Sequence, residues 1–324
     1  MVDSKYFKKI NGLNCTEYLL RGLANYYNRD FELMYLGAWG LDIDFEKKKF
    51  DDGFISECTS DAMKYLKIFH GLQVDAQFFY DYSSFEKFIQ SELARDMPVM
   101  VTVDLYWVPW TTQNYLQLHW GHEILIVGKT LNGWLCYDMF NQDKNLMPFK
   151  NIEKCFYRAQ CFQLLPIPQV SLKRCIKELK YNIQQNLVEK NSFKKLNRLS
   201  ELFFYPQEIR KDILENKISL PDFQRSDLME TFNRISQTRS QYALMLRYLA
   251  SKFENTLHLG EVADSFDRLS TIWKNIWGML QKAYLVGNKD PIIIRIAHRL
   301  NELSQLEEAA SELLLYNIDN SRIL

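Results

Sequence analysis

The sequence predicts an α+β protein in two parts. A mixed domain with an antiparallel sheet spans 1–166, and an all-α helical bundle spans 167–324. Three observations carry this reading. Short β-rich runs separated by turn residues fill the first half. Pro166-Ile167-Pro168 then interrupts the pattern, because proline can continue neither a ladder nor a helix. After it, apolar residues recur almost wholly at helical spacing.

Taken in order, Asn14-Cys15-Thr16-Glu17 has the pattern of a capping box opening a helix, with Leu19, Leu23 and Tyr26 roughly on the face of Cys15. Residues 83–95 read as a helix and Pro98–Asp104 as a β-rich run. Ile124–Val127 and Trp134–Tyr137 are two strands flanking turn residues, and 156–165 adds another. Helix and strand alternate only loosely, which favours α+β over a doubly wound sheet. Beyond the prolines, Ser171 caps a helix through Leu187, and long helices follow over 226–253 and 262–285. Asp290 reads as an N-cap with Pro291 at N1, and Ile293, Ile296, Ala297, Leu300, Leu303 and Leu306 continue at helical spacing. Trp273 and Trp277, four apart, read as core packing. There is no internal repeat.

Lysine plus arginine and aspartate plus glutamate both number 40, so the net charge is zero. Nothing concentrates positive charge for nucleic acid or an anionic membrane surface. The N-terminus has no apolar signal core, and no run of roughly 18 apolar residues occurs, so a cytoplasmic location without membrane spans is expected. The six cysteines show no CxxC spacing and read as free thiols. No glycine-rich nucleotide motif is present.

The chemistry-bearing residues are Cys15, His122 and Asp138. Cys15 sits in the first turn of its helix, where the partial positive charge favours an anion and backbone N–H groups could receive an oxyanion. His122 leads an apolar strand, and Asp138 ends the next one, where a carboxylate could hold the imidazole in one tautomer. Register decides whether the last two meet. A two-residue Asn132-Gly133 loop places His122 opposite Asp143 and Asp138 opposite Val127, whereas a turn centred on Thr130 places His122 opposite Asp138. Asp143 is therefore the alternative orienting acid. His119, His122 and Glu123 also invite a metal reading, but HExxH needs a helix, and Gly121 and the strand oppose one; no metal is expected. His70, His258 and His298 read as structural.

The order of Cys15, Gly121-His122 and Asp138 resembles papain-like cysteine enzymes. The stretch 97–110, with Gly121–Gly128, Asn14–Glu17 and Leu36–Leu41, resembles the N-terminal domain of the butirosin-biosynthesis acyltransferase (BtrH) family over roughly 10–165. That resemblance implies a transferase of secondary-metabolite and antibiotic biosynthesis. It would take an acyl group from the phosphopantetheine thioester of an acyl or peptidyl carrier protein and pass it to the amine of a small molecule. No permanently bound cofactor is implied, and a homodimer stays open. Cys15 would be the nucleophile, His122 the base and then acid, and Asp138 the orienting residue. The glutamine that papain-like peptidases carry just before the cysteine is missing from 8–14; Asn11, Asn14 or backbone N–H groups would have to serve the oxyanion. The aromatic segment Tyr106–Trp110 could shield an acyl-enzyme from water. The alternatives are a cysteine peptidase or amidase of the same fold, and a non-catalytic interaction protein working through its helical half. A long open groove would favour the former, and a thiol inert to alkylation the latter.

Overall fold

The computed structural model describes residues 2–8, 12–47, 54–56, 62–141, 143–205, 223–224, 226–253, 257–286 and 288–321. In chain order the elements are α1 (Cys15–Tyr26), the short strands β1 (Asp42–Ile43) and β2 (Ile55–Ser56), α2 (Ala62–His70), β3 (Leu72–Phe78), α3 (Tyr82–Ala94), β4 (Val99–Asp104), β5 (Gly121–Lys129), β6 (Gly133–Tyr137), β7 (Asn145–Pro148), α4 (Phe149–Cys155) and β8 (Arg158–Leu164). Then follow α5 (Leu172–Ile183), extended by a π turn at Gln184–Val188, α6 (Ser192–Phe203), α7 (Asp227–Lys252), α8 (Leu259–Leu285) and α9 (Asp290–Asp319). The architecture is α+β, with antiparallel sheets followed by helices. Helix α9 begins at Asp290 itself, so Lys289 rather than Asp290 occupies the cap position.

Contacts divide the chain into two compact units: Met1–Phe31 with Met63–Gln169, and Glu32–Ala62 with Val170–Leu324. The first unit is built on a six-stranded sheet of order β3-β8-β4-β5-β6-β7 whose pairs are all antiparallel. Val99, Val101, Val103, Ile124, Ile126, Trp134 and Cys136 bury one face against Phe85 and Ile89 of α3 and Ile152 of α4. Helix α1 packs on β5, and Phe7 stacks on Tyr137 at 4.6 Å. With both faces covered, β5 reads as a nearly continuous apolar run. Leu19, Leu20 and Leu23 of α1 are fully buried, so the helix is pinned by apolar burial as well as by its cap.

The second unit draws in residues 32–62, which the sequence alone grouped with the sheet domain. The reason is a buried polar network. Arg239 and Glu307, both essentially inaccessible, form a two-bond pair, Nε–Oε1 2.8 Å and Nη2–Oε2 3.1 Å. Glu307 also accepts the indole N–H groups of Trp39 at 2.6 Å and Trp273 at 2.9 Å, and Arg239 donates to the Gly40 carbonyl at 3.3 Å. Ser192 donates to the Leu41 carbonyl, and Lys195 pairs with Asp42. Trp273 is core, as its spacing predicts, but its N–H has a specific partner. Replacing Glu307 by leucine leaves a buried, uncompensated guanidinium and is expected to lower the unfolding free energy by about 3–5 kcal/mol in chemical denaturation.

Candidate active site

The site forms at the start of β5. Asn14 caps α1 as its sequence predicts: its Oδ1 accepts the Glu17 N–H at 2.9 Å while its own N–H donates to Glu17 Oε2 at 3.0 Å. The reciprocal bonds fix the chain entering the helix and place half-buried Cys15 at the first helical position.

His122 and Asp138 are both buried, and His122 Nε2 lies 2.8 Å from Asp138 Oδ1. Neither anticipated register occurs. The hairpin turns at Leu131-Asn132, with Thr130 donating its N–H to the Gly133 carbonyl at 2.8 Å. The register then shifts between Ile126 and Gly128, so Leu125 opposes Tyr137. Continued by one residue, that pairing sets Asp138 beside Ile124, on the face of His122 and diagonal to it. A bulge thus brings the pair together. Asp143 is exposed and its backbone N–H bonds to Asn141, so it is not the partner of His122.

Asp138 accepts two further bonds: Trp110 Nε1–H at 2.7 Å on Oδ2 and the Phe140 N–H at 3.0 Å on Oδ1. Three donors compensate a fully buried carboxylate, which is what keeps such a group affordable in an apolar site. The Phe140 ring covers His122 at 4.8 Å. With Nε2 committed to Asp138, the other ring nitrogen, Nδ1, is the one available to Cys15. Burial works against the imidazolium, but hydrogen bonding and charge from Asp138 and Cys15 outweigh it and raise the His122 pKa to about 9. Burial, followed by the Asp138 charge, lifts the Tyr18 phenol to about 12.

The sequence brought forward Cys15, His122 and Asp138, and the structure brings the three together. It missed the role of Trp110, which appeared only as one ring of an aromatic run; an indole N–H has no sequence signature of its target. Replacing Trp110 by phenylalanine leaves Asp138 Oδ2 without its donor. The expected cost is about 1–3 kcal/mol of stability, with the His122 pKa displaced further upward in an NMR titration, because the less solvated carboxylate grips the imidazolium harder. Asn14, considered for the oxyanion, would donate through Nδ2, which the cap bond on its Oδ1 leaves unused, and Asn11 lies outside the described residues. Of the first-turn N–H groups of α1, that of Glu17 is taken by Asn14, and those of Cys15 and Thr16 have no intrahelical acceptor.

The other described thiols differ from Cys15 in setting. Cys155 and Cys175 are buried, with pKa values pushed up to about 12, and burial also raises Cys136 and Cys161. Cys58 lies outside the described residues. Among the described residues no group of three or more His, Cys, Asp or Glu side chains is arranged to hold a metal ion, and His119 and His122 turn to different carboxylates. No helix among them is long and apolar enough to cross a membrane.

No curated protein matches the chain. Residues 41–138 match the family model described as butirosin biosynthesis protein H, N-terminal, a stretch that includes His122 and Asp138 and begins after Cys15. Over that stretch the chain is similar to the N-terminal domain of the butirosin biosynthesis protein H family.

Proposed function

We propose that this protein is a cysteine-dependent acyltransferase of secondary-metabolite biosynthesis. It takes an acyl group from the phosphopantetheine thioester of an acyl or peptidyl carrier protein, holds it on Cys15, and passes it to the amine of a small molecule. The family match supports a biosynthetic, acyltransferase-like role. The observation that carries the finer reading is the continuous chain from Trp110 through Asp138 and His122 to Cys15 at a capped helix start.

In this reading the Cys15 thiolate attacks the thioester carbonyl carbon. The C–S bond to the carrier breaks, and the departing sulfur takes a proton from His122. The amine nitrogen then attacks the acyl-Cys15 carbonyl, its N–H proton passes to His122, and the new C–N bond replaces the bond to Cys15 Sγ. Asp138 holds the ring and stabilises its cation throughout. Phe140 and Trp110 cover parts of the dyad, which favours amine over water as the second nucleophile. A cytoplasmic location belongs to this reading, because carrier thioesters are its donors.

Incubation with an acylated carrier protein is expected to add the acyl mass to the peptide containing Cys15, and added amine is expected to discharge it as amide. Discharge as free acid at the same rate with and without amine would instead indicate a hydrolase.

A further inference from the structure

The segment between β4 and β5 holds a second histidine–carboxylate pair that the proposed chemistry leaves unused. His119 Nδ1 lies 2.6 Å from Asp104 Oδ2, and its ring stacks on Tyr106 at 4.2 Å with an interplanar angle of 5°. Asp104 Oδ1 accepts the backbone N–H groups of Tyr106 at 3.0 Å and Trp120 at 3.1 Å. Burial works against the Asp104 charge, but His119 and these N–H groups outweigh it and hold the carboxyl below its ordinary range. A side chain 70% exposed is therefore clamped at one nitrogen and one face, although an exposed ring ordinarily keeps its rotamer freedom. With Nδ1–H donated to the carboxylate, the neutral ring presents the Nε2 lone pair outward, which is the arrangement of a base.

Its position is equally specific. Asp104 pairs with Gly121 in the ladder, immediately beside the Val103–His122 pair. Helix α1 packs along β5, and just past its far end Tyr27 reaches Met97, ahead of β4, so the Cys15 end of the helix lies at the end of the sheet where β5 starts. Cys15, His122 and His119 thus lie toward the same end of the sheet. At Gly121, which strand alternation turns to the face of Asp104 and away from that of His122, an added Cβ would meet nothing within 4 Å among the described residues, so the space beside Asp104 is open.

We propose that His119, backed by Asp104, is the base that converts the incoming acceptor from ammonium ion to free amine before it attacks acyl-Cys15. The inference rests on the acyltransferase reading. An alkylamine arrives near neutral pH as R–NH3+ and has no lone pair to use. One N–H bond breaks, its proton moves to His119 Nε2 and then to solvent, and its electron pair becomes the nucleophile. The second proton, released as the C–N bond forms and the C–S bond breaks, goes to His122. Two protons are accounted for by two histidines. The negative charge of Asp104 attracts the cation and stabilises the imidazolium that results.

The test uses p-nitrophenyl acetate as acyl donor and two acceptors: benzylamine, which arrives as a cation, and methoxyamine, a weak base that arrives neutral. His119→Gln is expected to keep the p-nitrophenolate burst and the methoxyamine rate, and to slow transfer to benzylamine about 100-fold. In His119→Ala, added imidazole is expected to restore the benzylamine rate. A normal burst with both amines slowed alike, or neither slowed, overturns the role of His119 alone. So does a wild-type acyl-enzyme that reacts with neither amine. Absence of a burst in the wild type overturns the acyl-enzyme reading, and this assignment falls with it.

Discussion

On the acyl-Cys15 route proposed above, alanine at position 15 is expected to abolish acyl-enzyme formation and to lower acyl transfer by at least about 10⁴-fold, because no other group replaces the covalent nucleophile. Intact-protein mass spectrometry after incubation with carrier thioester checks the first effect, and amide yield the second. The fold is expected to survive: Cys15 is half-buried, and its cap is made by Asn14 and Glu17 rather than by its own side chain. The same substitution has a second readout. Cys15 is one of the two groups that hold the His122 pKa up at about 9, so the His122 titration is expected to move down in the variant. Transfer at full rate by the Cys15→Ala protein would rule out the acyl-Cys15 route.

Asparagine at position 138 is the second large effect. It keeps the size of the side chain but removes the charge that orients His122. A loss of about 10²–10⁴ in transfer rate is expected, together with a marked fall in the His122 pKa, because Cys15 alone then opposes burial. The effect on stability has a definite pH window. In the wild type the His122 pKa lies above its unfolded value of about 6.5, so its contribution is fully present below pH 6.5 and disappears as pH rises through about 9. That contribution is about 3 kcal/mol by order of magnitude. Urea denaturation from pH 6 to 10 is therefore expected to show wild-type stability declining across this window and a flatter profile in Asp138→Asn. Identical slopes in the two proteins would mean that the His122–Asp138 pair is not the group titrating.

Much of this site was legible before folding. The cap at Asn14 and the helix after it follow from local hydrogen bonding and apolar spacing, and both arise as the sequence predicts. The strands at β4, β5 and β6 follow from short β-branched runs between turn residues, although β5 begins three residues earlier and ends two later than the apolar run alone indicates. Helix α2 and strand β3 gave no signal strong enough to name. Strand β3 is half exposed toward its end and lacks clean alternation, and its place in the sheet comes from pairing with β8, far along the chain.

The partner of His122 marks the limit. Two carboxylates, Asp138 and Asp143, satisfied sequence order equally, and two hairpin registers would each have chosen one. The protein adopts a third register, in which an irregularity between Ile126 and Gly128 and a turn at Leu131-Asn132 set Asp138 diagonal to His122. A one-residue bulge changes which side chains share a face, and no local propensity reveals it. The indole N–H of Trp110 on Asp138 and the burial of Glu307 between Arg239, Trp39 and Trp273 are invisible for a related reason: each partner lies 28 or more residues away. Residue types and local order by themselves determined the α+β class, the helical second half, and the presence of a cysteine, a histidine and a carboxylate in the order a cysteine enzyme needs. Tertiary structure alone decided which carboxylate meets the histidine, what solvates it, and which unit residues 32–62 join, because those outcomes depend on long-range pairing and on satisfying buried charge.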